Sequence, residues 1–299
     1  MQAVEYKVAG MRLVGVRSAN ANGVSKINRA ETNNSTPHQS EKITLALHGW
    51  LDNCASFWPL LPYLTERPVI ALDLPGHGHS DHRPIAGSYY FTEWVMDLVA
   101  LIEQQQWQQV HLLGHSMGGF IAQLLAAVIP ERIEKVTLIE AFGLLTFEAN
   151  ETLEKLRKAA TERLRLAEKT APVYPDLERI ITLRAQTSAL EPALVRNIVE
   201  RNLESVAGGW SWRVDPRVRL GSPFRFTLEQ ADDLMAGIEC PVQLIRGESG
   251  FQSLHDTLNR WQKMVDLRQQ ERLPGGHHLH LQHPAAVAEQ VNAFLRESG

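Results

Sequence analysis

VHLLGHSMGGFIAQLLAAVIP, residues 110–130, is the stretch whose reading decides the fold. Val110 to Leu113 is a short apolar run that reads as a buried strand. Phe120 to Ile129 is apolar almost all round, as a helix buried on most sides should be. Between them stands Gly114-His115-Ser116-Met117-Gly118, a G-x-S-x-G pentapeptide. A strand that turns straight into a helix around such a serine is a nucleophile elbow, whose strained turn pushes the hydroxyl out above the sheet. Small residues must flank it, because a Cβ at Gly114 or Gly118 would collide with neighbouring backbone. The serine also stands at the helix N-terminus, where free N–H groups and the helix dipole favour negative charge. Residue usage alone puts such a pentapeptide in roughly one unrelated chain in ten of this length. The strand–turn–helix setting is what makes Ser116 a candidate nucleophile.

Outward from the elbow, apolar runs alternate with helical spacing. On the N-terminal side, residues 4–16 alternate as a hairpin does, and the polar stretch 18–42 reads as an exposed, mobile loop without chemistry. Ile43 to Leu47 reads as a buried strand that runs into His48-Gly49-Trp50. Residues 55–65 read as a helix with Pro59 near its first turn. Pro68 to Leu72 is a strand ending in Asp73-Leu74-Pro75-Gly76-His77-Gly78-His79-Ser80, and Phe91 to Gln106 has helical spacing. On the C-terminal side, Glu134 to Ile139 is a strand closed by Glu140. Pro241 to Ile245 is another strand, and Leu267 to Leu273 is an edge strand followed by Gly275-Gly276-His277-His278. Helices are expected over 253–263 and 285–294. Between about 145 and 232 the chain is charged, broken by prolines and helical in pattern, as at 151–169 and 192–206, with no clear buried strand. This spacing predicts a helical insertion at 145–232 between core segments 1–144 and 233–299. Strands alternating with helices imply a mostly parallel sheet covered on both faces, an α/β fold, with functional groups at the carboxyl ends of the strands. Ser116, Glu140, His48-Gly49-Trp50 and His277 all follow strand ends in this parse.

The chain has 299 residues, 44% hydrophobic and 21% charged, which suits one large domain with an insertion. A net charge of −4 leaves no basic footprint for nucleic acid. Cys54 and Cys240 read as two reduced thiols. The N-terminus has no basic-then-apolar signal pattern, and no apolar run approaches the ~20 residues of a membrane span. A cytoplasmic protein is expected.

With these residues in view, the chain resembles the α/β-hydrolase superfamily over essentially its whole length. Four motifs carry the likeness, in the family's order: His48-Gly49-Trp50, Asp73 to Ser80, Gly114 to Gly119, and Gly276-His277 followed by Leu281 and Pro284. Within the superfamily it is most similar to the serine hydrolase-like, Kraken-type proteins, judged from HGWLDN at 48–53, LGHSMGG at 113–119 and WSWRVDPR at 210–217. The resemblance implies the α/β-hydrolase fold with the helical insertion as its cap. It also implies a carboxylesterase-like serine hydrolase that cleaves a small or medium hydrophobic ester through an acyl-enzyme, with no cofactor.

A serine hydroxyl needs a base. His277, His278, His280 and His283 are all at hand, and the family pattern selects His277, directly after the glycine, with His278 as runner-up. A metal reading of these histidines would need carboxylate or cysteine partners at fixed spacing, and the sequence shows none. The third member orients the imidazole and stabilises its cation. Many relatives carry an aspartate in G-x-x-D after the strand at 241–245; here the four residues are Gly247-Glu248-Ser249-Gly250, with glycine at the acid position. Haloalkane-dehalogenase-like branches take their acid from the strand end after the elbow, which here is Glu140. An apolar strand rarely ends in a glutamate facing an apolar loop without a partner, so Glu140 is expected as the acid and Glu248 is the alternative. The oxyanion donors expected are the Met117 and Trp50 N–H groups. His48 is expected to hold its loop by hydrogen bonding, and Asp73, His77 and His79 to form a structural turn. Phe142, Leu145, Trp210 and Trp212 are candidates for an apolar pocket wall. Carbon–carbon bond hydrolysis, cofactor-free peroxidation and a hydrolase-derived ligand receptor or signalling protein remain as alternatives. Dehalogenation is disfavoured, since it needs an aspartate where Ser116 stands.

Overall fold

A computed structural model describes residues 1–18, 41–167, 171–252 and 254–297. Most of the polar stretch at 18–42 therefore lies outside the described residues, as does Ser253 at the expected start of a helix. Ten strands are described: β1 (Gln2–Val8), β2 (Met11–Arg17), β3 (Thr44–Leu47), β4 (Val69–Leu72), β5 (Val110–His115), β6 (Ile133–Ile139), β7 (Leu203–Val206), β8 (Gly209–Trp212), β9 (Val242–Gly247) and β10 (Leu267–Leu273). Eight of them form one sheet in the order β1-β2-β4-β3-β5-β6-β9-β10. The β1–β2 hairpin and its junction to β4 are antiparallel; every later pairing in the sheet is parallel.

The register sets up the site. Leu47 pairs with Gly114, His115 with Ile139, and Ile139 with Ile245. The residues that leave those strands, His48, Ser116 and Glu140, therefore emerge level with one another at one end of the sheet. This is where ligands bind in an open α/β sheet whose chain turns both ways from a central strand.

The central strands are apolar on both faces because helices cover both faces. Leu45, Leu47, Leu112, Leu138 and Leu244 point into one core with α1 (Phe91–Gln104), α2 (Met117–Val128), α6 (Leu228–Ala236) and α7 (Leu254–Trp261). Ala46, Leu113, Ile139 and Ile245 point into the other, against Phe57, α8 (Leu279–Gln282) and α9 (Pro284–Arg296). Each fully buried leucine or isoleucine contributes about 1.5–3 kcal/mol, so the sheet and its helices are a rigid platform. Residues 55–65 do not form the expected helix. A short 3₁₀ turn covers Cys54–Phe57 and irregular turns follow. Pro59 and Pro62 supply no N–H to continue a helical ladder.

Between β6 and β9 the chain carries α3 (Thr152–Ala167), α4 (Leu177–Ser188) and α5 (Pro192–Arg201), then the β7–β8 hairpin and α6. The hairpin, mostly half-buried, adds two short strands to a segment read as helical with no clear buried strand, and α5 stops at Arg201 rather than running on to 206. Four-residue strands alternate too briefly to show in sequence. Ile180, Ile181, Val195 and Val199 make a small separate core with Trp210 and Trp212 packed on it, whereas α6 packs on the main core through Ala231 and Met235. Among the described residues no helix is long and apolar enough to cross a membrane.

Candidate active site

Ser116 stands between β5 and α2 with φ 51° and ψ −117°, a left-handed, strained conformation for a non-glycine residue. Its crowding is physical. A Cβ at Gly118 would stand 1.9 Å from the Leu47 carbonyl oxygen, and one at Gly114 2.5 Å from the Gly119 Cα. The elbow therefore presses directly on the β3 end. Ser116 is half-buried, and Met117 is the first residue of α2, where N–H groups have no intrahelical acceptor.

Glu140 is the second strained strand end, with φ 53°, and is 1% exposed. Its Oε1 accepts the Gly247 N–H at 2.7 Å and its Oε2 the Phe251 N–H at 2.8 Å. Oε2 also stands 3.4 Å from His277 Nδ1. A carboxylate can only accept, so Nδ1 carries the proton and Nε2 keeps its lone pair. The His277 carbonyl accepts from His115 Nε2 at 2.9 Å, which fixes the histidine backbone beside the residue preceding Ser116. Phe251 lies over the His277 ring with centroids 3.9 Å apart.

Gly250, where many relatives carry the acid, explains why a glycine is there. A Cβ at 250 would fall 2.1–2.4 Å from the Glu140 carboxylate. The Glu140 carboxylate thus fills the space that a side chain at 250 would take. Glu248 is exposed; its backbone bonds to Leu273 and Arg272, and its carboxylate makes no hydrogen bond to His277.

The neighbouring loops are tied together by buried polar groups. His48 Nε2 accepts the Leu74 N–H at 3.0 Å, and its Nδ1 donates to the Gly49 carbonyl at 2.8 Å, so this histidine joins the β3 and β4 loops. Asp73 is fully buried, accepts the Cys54 and His79 N–H groups, and pairs with Arg201 of α5 at 2.7 Å. Burial pushes its carboxyl up, but the Arg201 hydrogen bonds and charge outweigh this and hold it below the ordinary aspartate range. Burial, aided by the nearby His48, lowers His77 to about 3, so it is neutral at ordinary pH.

A cavity of about 700 Å³ opens between the insertion and the β3 loop. Trp50, Leu51, Ile180, Leu183, Trp212 and Val214 form its apolar wall, with Arg179, Arg184 and Arg219 also facing it. Trp50 is half exposed and its Nε1 donates to the Val218 carbonyl at 3.1 Å. Of the other residues expected in a pocket wall, Phe142 is fully buried in the main core, Leu145 is exposed, and Trp210 packs on the core of the insertion. Sequence reasoning passed over Phe251 and His115. The first is signalled only by its adjacency to Gly250; the second reads as a variable position of the pentapeptide.

A family model described as the alpha/beta hydrolase fold matches residues 45–284. A probable serine hydrolase of Drosophila melanogaster is 32% identical, the match covering 85% of this chain and 81% of that one. A serine hydrolase-like protein of Dictyostelium discoideum is 29% identical, covering 87% of this chain and 77% of its own. The crystal structure of the hypothetical protein PA1622 from Pseudomonas aeruginosa PAO1 superposes with a TM-score of 0.87 at 34% identity, over 99% of this chain and 100% of that one. The chain belongs to the α/β-hydrolase family. Within that family it is serine hydrolase-like.

Proposed function

We propose that this protein is a serine hydrolase acting on carboxylic esters through Ser116, His277 and Glu140. The observation that carries the reading is the Glu140 carboxylate, held by two backbone N–H groups with one oxygen 3.4 Å from His277 Nδ1. That leaves the His277 Nε2 lone pair free to act on Ser116, which the β5–β6 register brings level with Glu140.

In this mechanism Ser116 Oγ attacks the ester carbonyl while His277 Nε2 takes its proton. Glu140 stabilises the imidazolium without itself taking the proton. The tetrahedral oxyanion is met by the Met117 and Trp50 N–H groups; losing one such donor typically costs ~2.7–4 kcal/mol in the barrier. His277 returns the proton to the leaving alcohol as the acyl-enzyme forms. Water, deprotonated by the same imidazole, then attacks the acyl carbon and releases the acid and the free serine. The insertion, 145–232, acts as the cap. The cavity of about 700 Å³ beside it, whose wall is mostly apolar with three arginines and does not include Ser116 or His277, would take the hydrophobic part of a small or medium ester that extends past Trp50.

The test is turnover of p-nitrophenyl esters from acetate to hexanoate. Wild type should hydrolyse them, and Ser116→Ala should lose about 10⁴–10⁶-fold in kcat. A wild-type protein that turns over no acyl donor would reject the reading.

A further inference from the structure

We propose that His115, His278 and His280 form a binding site for one transition-metal cation of the zinc, nickel or copper(II) class, with Asp52 as its acidic neighbour. The sequence offered no such site because the C-terminal histidines lack a carboxylate at fixed spacing. The fold supplies what the spacing does not: one histidine from the elbow strand and one aspartate from the β3 loop.

Each of the three histidines offers a ring nitrogen, and these nitrogens all lie within 4.8 Å of one another. The His115 ring centroid is 4.1 Å from that of His280 and 5.2 Å from that of His278. His115 and His280 are fully buried and His278 is half-buried. Among the described residues, His115 Nδ1, His278 Nδ1 and both nitrogens of His280 have no hydrogen-bond partner. Buried polar atoms are satisfied nine times in ten or more, so four unmatched ring nitrogens at one point call for a ligand.

The protonation pattern fits a cation. His115 Nε2 donates to the His277 carbonyl at 2.9 Å, which leaves the Nδ1 lone pair turned toward the cluster. Metal-binding histidines commonly spend their other N–H on a backbone carbonyl in this way. Neutral imidazole is the form that ligates.

Charge is supplied as well. Asp52 is 1% exposed; its Oδ1 pairs with Arg184 at 2.6 Å, while its Oδ2 has no partner among the described residues. A Cβ at Gly49 would stand 2.9 Å from His115 Nδ1 and 3.4 Å from Asp52 Oδ2. Gly49 therefore keeps open a space that faces both an imidazole lone pair and a free carboxylate oxygen. Zn–N bonds of ~2.0–2.1 Å place tetrahedral ligands about 3.3 Å apart, so the nitrogens must close by somewhat over 1 Å. His278, the least buried and close behind Gly275 and Gly276, is the one that moves.

Occupancy has a consequence that rests on the function proposed above. His278 adjoins His277, and the His277 carbonyl is bonded to His115. Drawing His278 inward shifts His277, so the cation should slow ester hydrolysis.

The experiment uses the full chain, stripped of metal with a chelator, and titrates it with Co²⁺ followed by its visible absorption and with Zn²⁺ by calorimetry. Saturation at one ion per chain supports the site. His280→Gln should weaken binding at least about 100-fold, and Asp52→Asn about tenfold. If His280→Gln fails to fold, His278→Gln at the half-buried position reads the same ligand set. No saturable Co²⁺ or Zn²⁺ uptake by wild type, or uptake unchanged in both histidine variants, overturns the site. Zn²⁺ should slow p-nitrophenyl ester hydrolysis by wild type at least tenfold and leave His280→Gln unaffected; binding without slowing overturns the coupling to His277. If the metal-free protein hydrolyses no ester, the proposed function fails while the metal titrations still report on the site.

Discussion

Two carboxylates in this molecule are buried almost completely at strand ends, and both have histidines near them in sequence or space. Asp73, after β4, is met by a guanidinium, two N–H groups and a crowded glycine turn. Glu140, after β6, is met by two N–H groups and an imidazole. The partner makes the difference. Arg201 is always charged, so its pair with Asp73 is a permanent fastening between the core and α5. In the proposed mechanism His277 becomes a cation only on taking the serine proton, so the Glu140 charge acts at that moment. Backbone strain marks the same contrast: Ser116 and Glu140 sit at positive φ, whereas Asp73 does not.

The comparison breaks if the two acids respond alike. The largest effect should come from Glu140→Gln, which keeps shape but loses the charge that orients the protonated imidazole. Its kcat/KM should fall about 10³–10⁴-fold, roughly 4–5.5 kcal/mol, with a smaller loss of stability, about 1–3 kcal/mol, because the amide NH2 leaves one of the two buried backbone N–H groups without an acceptor. Arg201→Met should do the reverse, unfolding more easily by ~3–5 kcal/mol in denaturant titrations because Asp73 is left buried and uncompensated. The deficit should narrow as the pH falls toward about 4, because a buried carboxyl without its guanidinium takes up a proton above the ordinary aspartate range.

Wild-type stability should itself fall on mild acidification. His48, His77, His111, His115, His278 and His280 all have pKa values lowered chiefly by burial. Below about 6.5 the unfolded chain takes up protons that the folded chain refuses, at up to ~1.4 kcal/mol per pH unit for each histidine. Thermal melts between pH 7 and 4.5 should show a steep decline; a flat profile would mean these rings are solvated. The smallest effect belongs to Glu248→Gln. Its side chain is exposed and unconnected to His277, so activity should stay within about twofold; a large loss would move the acid to that residue.

Much of this was legible in the chain. The elbow announced itself because a strand, a G-x-S-x-G turn and an apolar helix follow without a gap. The sheet was legible because parallel strands buried on both faces must be continuously apolar. The β7–β8 hairpin was not, since four residues are too few to show alternation. Residues 55–65 were misread because apolar spacing suggested a helix that Pro59 and Pro62 cannot sustain. Phe142 and Leu145 looked like pocket residues from their place after Glu140; which face of a short loop meets a cavity depends on tertiary packing, and the loop turned Phe142 into the core. Phe251 and His115 gave no local signal because their contacts are made across the fold.

The central claim is that Ser116 is made nucleophilic by an imidazole that Glu140 holds. The most direct measurement is the rate at which a fluorophosphonate labels the protein, with the modified residue located by mass spectrometry. Stoichiometric labelling at Ser116, slowed at least a hundredfold in Glu140→Gln and abolished in Ser116→Ala, is the predicted result. Labelling elsewhere, or at Ser116 with a rate indifferent to Glu140, would contradict it.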